Sequence, residues 1–243
     1  MSTLYIVSTP IGNLEDITLR AIRILKEVDF VLCEDTRVTK NLLAHYQIAT
    51  PTLSFHQHST GLEIDKLINL IKEGKNLALV TDAGTPGVSD PGGVLVAEAV
   101  KQFRPEADQP LADGSEVKIE TIPGPSALTA AIAISGLPME KFLFLGFLPH
   151  KKGRQTLLKK IAESEYPVVL YESVHRIGKL LNELSGPAFA QASADKQDYQ
   201  LVVGRELTKK FETVYRGSVE EVKSQLKPTE VKGEFVVIIH KHE

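Results

Sequence analysis

The stretch VTDAGTPGVSDPGG, residues 80–93, decides how this chain is read. It leaves an apolar, strand-like segment and turns at once into glycine and proline, the composition of a loop that lets a ligand approach bare backbone. Asp82 and Asp90 lie in it, and it contains no lysine or arginine. It matches neither G-x-x-x-x-G-K-[ST] nor G-x-G-x-x-G, the patterns that cradle nucleotide phosphates. Flanking carboxylates repel phosphate, so a neutral or cationic ligand suits the loop better. The competing reading is a turn whose glycines serve geometry alone.

Working outward, short β-branched runs alternate with segments of helical spacing. Strands are expected at 3–8, 30–33, 76–80, 117–122, 142–147, 168–171, 201–203 and 235–240. Helical spacing runs through 15–28, 60–74, 92–103, 125–136, 154–164 and 174–184. This alternation predicts an α/β architecture, and the near-continuous apolar strands predict a sheet covered on both faces. Residues 104–116 and 185–198, rich in proline, glycine, alanine, serine and acidic residues, read as surface loops. A helix ending at Gly136 with proline following predicts a division into domains 1–137 and 138–243.

Composition narrows the function classes. The 243 residues carry a net charge of −3, with 42% hydrophobic and 24% charged residues, ordinary values for a globular protein. No global positive field draws the chain to nucleic acid or membrane. Cys33, the single cysteine, excludes an internal disulfide and a cysteine-based zinc site. No apolar run approaches the roughly 20 residues that span a bilayer, and a strand-like segment starts at residue 3. A reducing cytosol is the expected setting.

In open α/β sheets, ligands bind beyond the carboxyl ends of the strands. The unusual residues fall there: TPIGNLED (9–16), EDTR (34–37), the opening loop, PGPS (123–126), YESVHR (171–176) and GRELTK (204–209). S-adenosylmethionine, a sulfonium without phosphate, has the charge that the opening loop calls for. In EDTR, Asp35 or Thr36 could cap a helix, or a carboxylate could accept a proton. PGPS is either a stiff turn with Ser126 as cap or a set of helix N-terminal amides for a ligand. His56 and His58 form H-x-H without further ligands at metal spacing and read as ordinary loop residues, so no metal is expected. His175, flanked by Glu172 and Arg176, is balanced between site residue and simple hydrogen-bond partner. HKKGRQTLLKK (150–160) and RELTKK (205–210) are basic patches that could grip a polyanion or be solvated helix faces.

Taken in order and spacing, LYIVSTPIGNLEDITLRAIRIL, EDTR, DAGTPGVSDPG, PGPSALTAAIAISGLP, GFLP, YESVHR, RELTK and GEFVVII resemble the ribosomal RNA small subunit methyltransferase I family, within the tetrapyrrole methylase fold. The resemblance spans residues 3 to about 240. It implies two α/β domains with the ligand cleft between them, a homodimer, and S-adenosylmethionine-dependent 2′-O-methylation of a cytidine in the decoding region of 16S rRNA. By the same resemblance Pro10, Gly84, Thr85, Pro86, Gly87, Val88, Ser126, Ala127 and Tyr171 line the donor site. EDTR, YESVHR and RELTK would face the substrate. A carboxylate of Glu34, Asp35 or Glu206 is then the expected base, with Arg37, Arg176 or Arg205 gripping phosphate. Glu172, His175, Arg176, Arg205, Lys209, Lys151, Lys152 and Arg154 are the expected substrate contacts. Many members of the resembled family continue past the last strand with a helical extension, which would leave RNA binding here to the 150–160 patch or the dimer. The alternatives are a tetrapyrrole C-methyltransferase and a catalytically idle RNA-binding relative.

Overall fold

The computed structural model describes residues 2–56, 61–90, 92–103, 117–186, 189, 199–226 and 233–241. The expected loop 104–116 and His58 lie outside them, as does most of the expected loop 185–198. The chain divides into two compact units, 1–126 and 127–243.

In the first unit, β1 (Ser2–Val7), β2 (Phe30–Cys33), β3 (Thr52–Ser54), β4 (Leu77–Leu79) and β5 (Val117–Ile122) form one sheet in the order β3-β2-β4-β1-β5. Every pairing is parallel, so all five carboxyl ends share one edge. Because side chains alternate along a strand, each strand feeds two cores. Val31, Cys33, Ala78 and Val80 pack on one face with α1 (Leu19–Glu27) and α2 (Thr36–His45). Leu32, Leu77 and Leu79 pack on the other with α3 (Gly61–Lys72) and α4 (Gly92–Phe103). Both faces are therefore covered, which is why the strands read as unbroken apolar runs.

The expected helix over 15–28 is split. Asn13 Oδ1 accepts from Glu15 N and starts a single 3₁₀ turn, Leu14–Asp16, which ends at the extended Ile17, and Thr18 Oγ1 then accepts from Ala21 N at 3.0 Å to start α1. Two caps five residues apart leave no continuous ladder between them.

The second unit holds α5 (Ala127–Ser135), β6 (Leu143–Phe147), α6 (Arg154–Ala162), β7 (Val168–Ser173), α7 (Val174–Leu184), β8 (Tyr199–Arg205), β9 (Thr213–Gly217), α8 (Val219–Leu226) and β10 (Glu234–Lys241). Its sheet runs β6-β7-β10-β8-β9. β6 and β7 are parallel, while β10 is antiparallel to both β7 and β8. The carboxyl ends of β6, β7 and β8 consequently lie on one edge. Helices α6, α7 and α8 cover the face that carries Leu170, Val203 and Val237.

Helix α5 belongs to this unit, so the division falls at 126/127 rather than beside Gly136. Arg216 of β9 donates to the carbonyls of Ile134 and Ser135, closing the end of α5. β3 and β9 lie at sheet edges and were not legible as strands. β3 offers three residues with one strongly apolar side chain, and β9 is only half-buried along most of its length.

Thr18→Ala should destabilise the first unit by about 1 kcal/mol, since it removes the side-chain cap of α1. Urea unfolding monitored by circular dichroism should show a lowered midpoint with an unchanged slope.

Candidate functional site

At the carboxyl edge of the first sheet, the loop after β4 is stitched to its neighbours. Thr9 and Gly84 form an isolated antiparallel bridge, Thr9 N donating to Gly84 O at 2.9 Å and Gly84 N to Thr9 O at 3.1 Å. Thr9 Oγ1 donates to Thr81 O at 3.0 Å. The Thr85 hydroxyl lies 3.0 Å from Ser8 Oγ and donates to Pro125 O at 3.0 Å, joining the loops after β1, β4 and β5. These loops surround the point where the crossovers change direction. β1 leads to β2 on one side, and β4 leads past β1 to β5 on the other.

Glycine is required here by geometry. Gly84 has φ +88°, and a Cβ on it would lie 3.3 Å from Ile11 Cγ2. A Cβ on Gly124 would lie 3.0 Å from Ser8 Cβ. Val88 N donates to Thr85 O, and Asp90 Oδ1 accepts from Gly87 N at 2.8 Å and Gly92 N at 2.7 Å. Asp90 is therefore a turn-holder. Pro10, Gly84 and Pro86 are buried, Thr85, Val88 and Ser126 half-buried, and Gly87 exposed. Ser126 ends the first unit, and Ala127 opens α5 in the second. The sequence reading missed Ser8, Thr9 and Thr81, whose hydroxyls or carbonyls make the stitching. Their only signal is hydroxyl residues placed directly after strands.

The loop after β2 is tied to the same group, since Asp82 Oδ1 accepts from Asp35 N at 3.2 Å. Asp35 Oδ1 caps α2 through Arg37 N at 2.8 Å, and its carboxylate holds the Arg37 guanidinium at 2.7 and 3.1 Å. These bonds, the guanidinium first, hold the Asp35 carboxyl down to about 2. So low an affinity for protons makes Asp35 a poor base. Glu34 beside it is exposed and enters no ion pair with any described residue.

On the second unit, the expected substrate residues separate into two groups. Lys151, Lys152 and His175 are exposed at the carboxyl edge, and Arg205 is half-buried. Glu172 and Arg154, expected to face the substrate, are inside, with side chains 0% and 2% exposed. Lying in register with Phe235, Glu172 points to the core face, under α6 and α7. Arg176, 14% exposed, pairs with it at 2.8 Å and lies 5.8 Å from the Phe147 ring centroid. Tyr171 faces the opposite way and packs edge-on against Phe144 and Phe147, at 5.1 and 5.5 Å. The sequence reading also missed Glu183, which meets Arg154 at 2.7 Å.

Glu206 does not have the character of a base. Burial pushes its carboxyl up, but the Lys209 ammonium at 3.0 Å and the Glu234 amide at 3.1 Å outweigh this and bring it below the ordinary glutamate value. Lys209 also bonds Glu234 at 3.0 Å, and these two carboxylates raise its ammonium above the usual range against the effect of burial. Both residues brace the turn after β8. No group of three or more metal-ligating side chains forms among the described residues. None of the described helices is long and apolar enough to cross a membrane.

Comparison with known proteins agrees with this geometry. Residues 3–223 match the model of the Tetrapyrrole (Corrin/Porphyrin) Methylases. The chain belongs to that family, and within it to the ribosomal RNA small subunit methyltransferase I group. It is 40% identical to the "Ribosomal RNA small subunit methyltransferase I" of Thermotoga maritima over 239 residues, 98% of each chain. To the protein of that name from Streptococcus pyogenes serotype M3 it is 42% identical over 98% of its own length and 76% of the relative's. Among solved structures, the uroporphyrin-III C-methyl transferase of Thermus thermophilus complexed with S-adenyl homocysteine shares the fold. Its TM-score is 0.62 at 20% identity, covering 98% of this chain and 96% of that one.

Arg37→Ala should return the Asp35 carboxyl from about 2 toward the free aspartate value of about 3.9. The sign follows from the lowered value. The bond to Arg37 contributes to stability above the unfolded pKa and is lost as pH falls through the folded one. Carbon-detected NMR titration of the Asp35 carboxyl should show the rise.

Proposed function

We propose that the protein uses S-adenosylmethionine to methylate the 2′-oxygen of a cytidine ribose in the decoding region of 16S rRNA. The observation that carries this reading is the loop stitched around Gly84. It sits at the crossover point of a parallel sheet, is lined by glycine, bears the exposed carboxylate of Asp82 and has no basic residue over 80–90. Such a cradle fits a sulfonium ligand and disfavours a phosphate. The names of the relatives supply the substrate class, and the resemblance supplies the ribose position. The chain acts as a homodimer in the cytoplasm in this reading.

When bound, the donor supplies an electrophilic methyl group. Gly84, Thr85, Pro86, Gly87 and Val88, with Pro10 and Ser126, would hold and orient it by backbone and shape. Orientation matters because an in-line displacement needs its reacting atoms aligned, and positioning alone can supply several kcal/mol. Glu34 is the carboxylate free to take the proton from the ribose 2′-hydroxyl, since Asp35 is committed to Arg37 and Glu206 to Lys209. Lys151, Lys152, His175 and Arg205 meet the RNA backbone, a sequence-independent grip.

Incubation with labelled donor and small subunits from a methylation-deficient strain should place label on one cytidine ribose, located by mapping of the RNA. Label on a base or nowhere refutes the reading. Glu34→Gln should lower kcat by about 10²-fold or more with donor affinity retained, whereas Asp35→Asn should mainly loosen α2. Equal activity of Glu34→Gln and the wild type removes Glu34 as the base. Gly84→Ala should weaken donor binding measured by calorimetry, because φ +88° and the nearby Ile11 disfavour a side chain.

A further inference from the structure

A cluster of buried charge in the second unit is unused by the chemistry above. Glu172 has no exposure, Arg154 is 2%, Arg176 14% and Glu183 16% exposed. Two glutamates and two arginines balance in charge but not in hydrogen bonds. Among the described residues, Glu172 Oε2 has no hydrogen-bond partner and meets Arg154 Nη1 at 3.6 Å. Arg154 Nη2 comes within 2.7 Å of Glu183 Oε2, yet off the hydrogen-bond line. Apolar side chains of similar volume commonly hold a fold as well as such a cluster or better. What the charges do here beyond packing is visible in the remaining bonds of the two arginines.

Both arginines reach back to the segment between β6 and α6. Arg176 Nη1 donates to Leu148 O at 2.6 Å, Arg154 Nη1 to Pro149 O at 3.3 Å, and Arg154 N to Lys151 O at 3.2 Å. Gly153, at φ +85°, makes the left-handed turn that brings the chain into α6. The guanidiniums thus pin the backbone at Leu148 and Pro149, immediately before His150, whose side chain is exposed together with Lys151 and Lys152. The other two lysines of the same basic run, Lys159 and Lys160, sit in the last turn of α6, roughly two turns away along the helix. Only the pinned lysines lie at the carboxyl edge.

We infer that Glu172 is a positioning residue. Through the guanidiniums of Arg154 and Arg176 it sets the backbone at Leu148 and Pro149, so that Lys151 and Lys152, two and three residues on, are presented in a fixed geometry to the phosphates of the RNA substrate. This inference rests on the reading of the substrate as rRNA. A buried carboxylate acting in this way affects substrate affinity without touching substrate or donor, and its effect passes through the two lysines.

The test is a cycle of Glu172→Gln, the pair Lys151→Ala and Lys152→Ala, and their combination. It is read as KM for small subunits, kcat, calorimetric donor affinity and thermal midpoint. Glu172→Gln should raise KM about tenfold with kcat and donor affinity within about twofold. The combined variant should be no worse than the lysine pair alone, because a misplaced loop without its lysines has nothing further to lose. Effects that multiply, or an unchanged KM, overturn the inference. If Glu172→Gln does not fold, Arg154→Lys enters the same cycle, since a shorter cation cannot serve both Glu183 and Pro149. Trypsin cleavage after Lys151 and Lys152 is independent of the substrate assignment and should be about tenfold faster in Glu172→Gln than in wild type. Equal cleavage rates overturn the positioning even if the wild type proves inactive on rRNA, and faster cleavage in an inactive protein leaves only the substrate reading refuted.

Discussion

The pairing of Thr9 with Gly84 is the constraint from which the candidate donor site follows. The loops leaving the adjacent parallel strands β1 and β4 lead toward helices on opposite faces of the sheet. Two backbone hydrogen bonds between Thr9 and Gly84 turn them toward each other instead. The pairing leaves a φ of +88° at Gly84. With Ile11 Cγ2 on one side and the Pro125 carbonyl on the other, there is no ready space for a larger residue. The Thr85 hydroxyl then fixes the third loop. The cradle is thus built from hydroxyls and backbone, leaving carboxylates as the local charge and suiting it to a ligand that brings positive charge of its own.

The second sheet solves a different problem. Its carboxyl edge carries exposed lysines on the loop after β6, and side chains on a free loop lose binding energy to disorder. Here two guanidiniums are drawn into the protein by buried glutamates and spend their remaining donors on loop carbonyls. The turn after β8 uses the same principle with other residues, Lys209 bridging Glu206 and Glu234. Charge that reads in the sequence as substrate-facing therefore serves to hold backbone, and the side chains left exposed are the ones that can meet a ligand.

Much of this was legible in the sequence. Alternating apolar and helical segments foretold α/β units, and the bunching of glycine, hydroxyl and acidic residues after strands marked the loops that are joined at the carboxyl edge of the first sheet. What was hidden was hidden for physical reasons. β3 and β9 are sheet-edge strands, so burial does not impress a strong apolar pattern on them. The 3₁₀ turn before α1 shares its helical spacing, and only the extended Ile17 and the Thr18 cap separate the two. The direction in which Glu172 and Arg154 point depends on strand register and on which face α6 and α7 cover, neither of which is written in a local run of charges. The division at 126/127 could not be read from Gly136, because α5 is joined to the second unit by β10 and Arg216, both far along the chain from it.

Hydrogen–deuterium exchange with and without S-adenosylmethionine tests the central claim most directly, because it reports the stitched loops themselves. Peptides spanning residues 80–88 and 122–127 should slow markedly on addition of the donor, with those at 8–11 following, while the outer strand β3 should not change. Protection confined to other segments, with these loops exchanging as freely as before, would contradict the account.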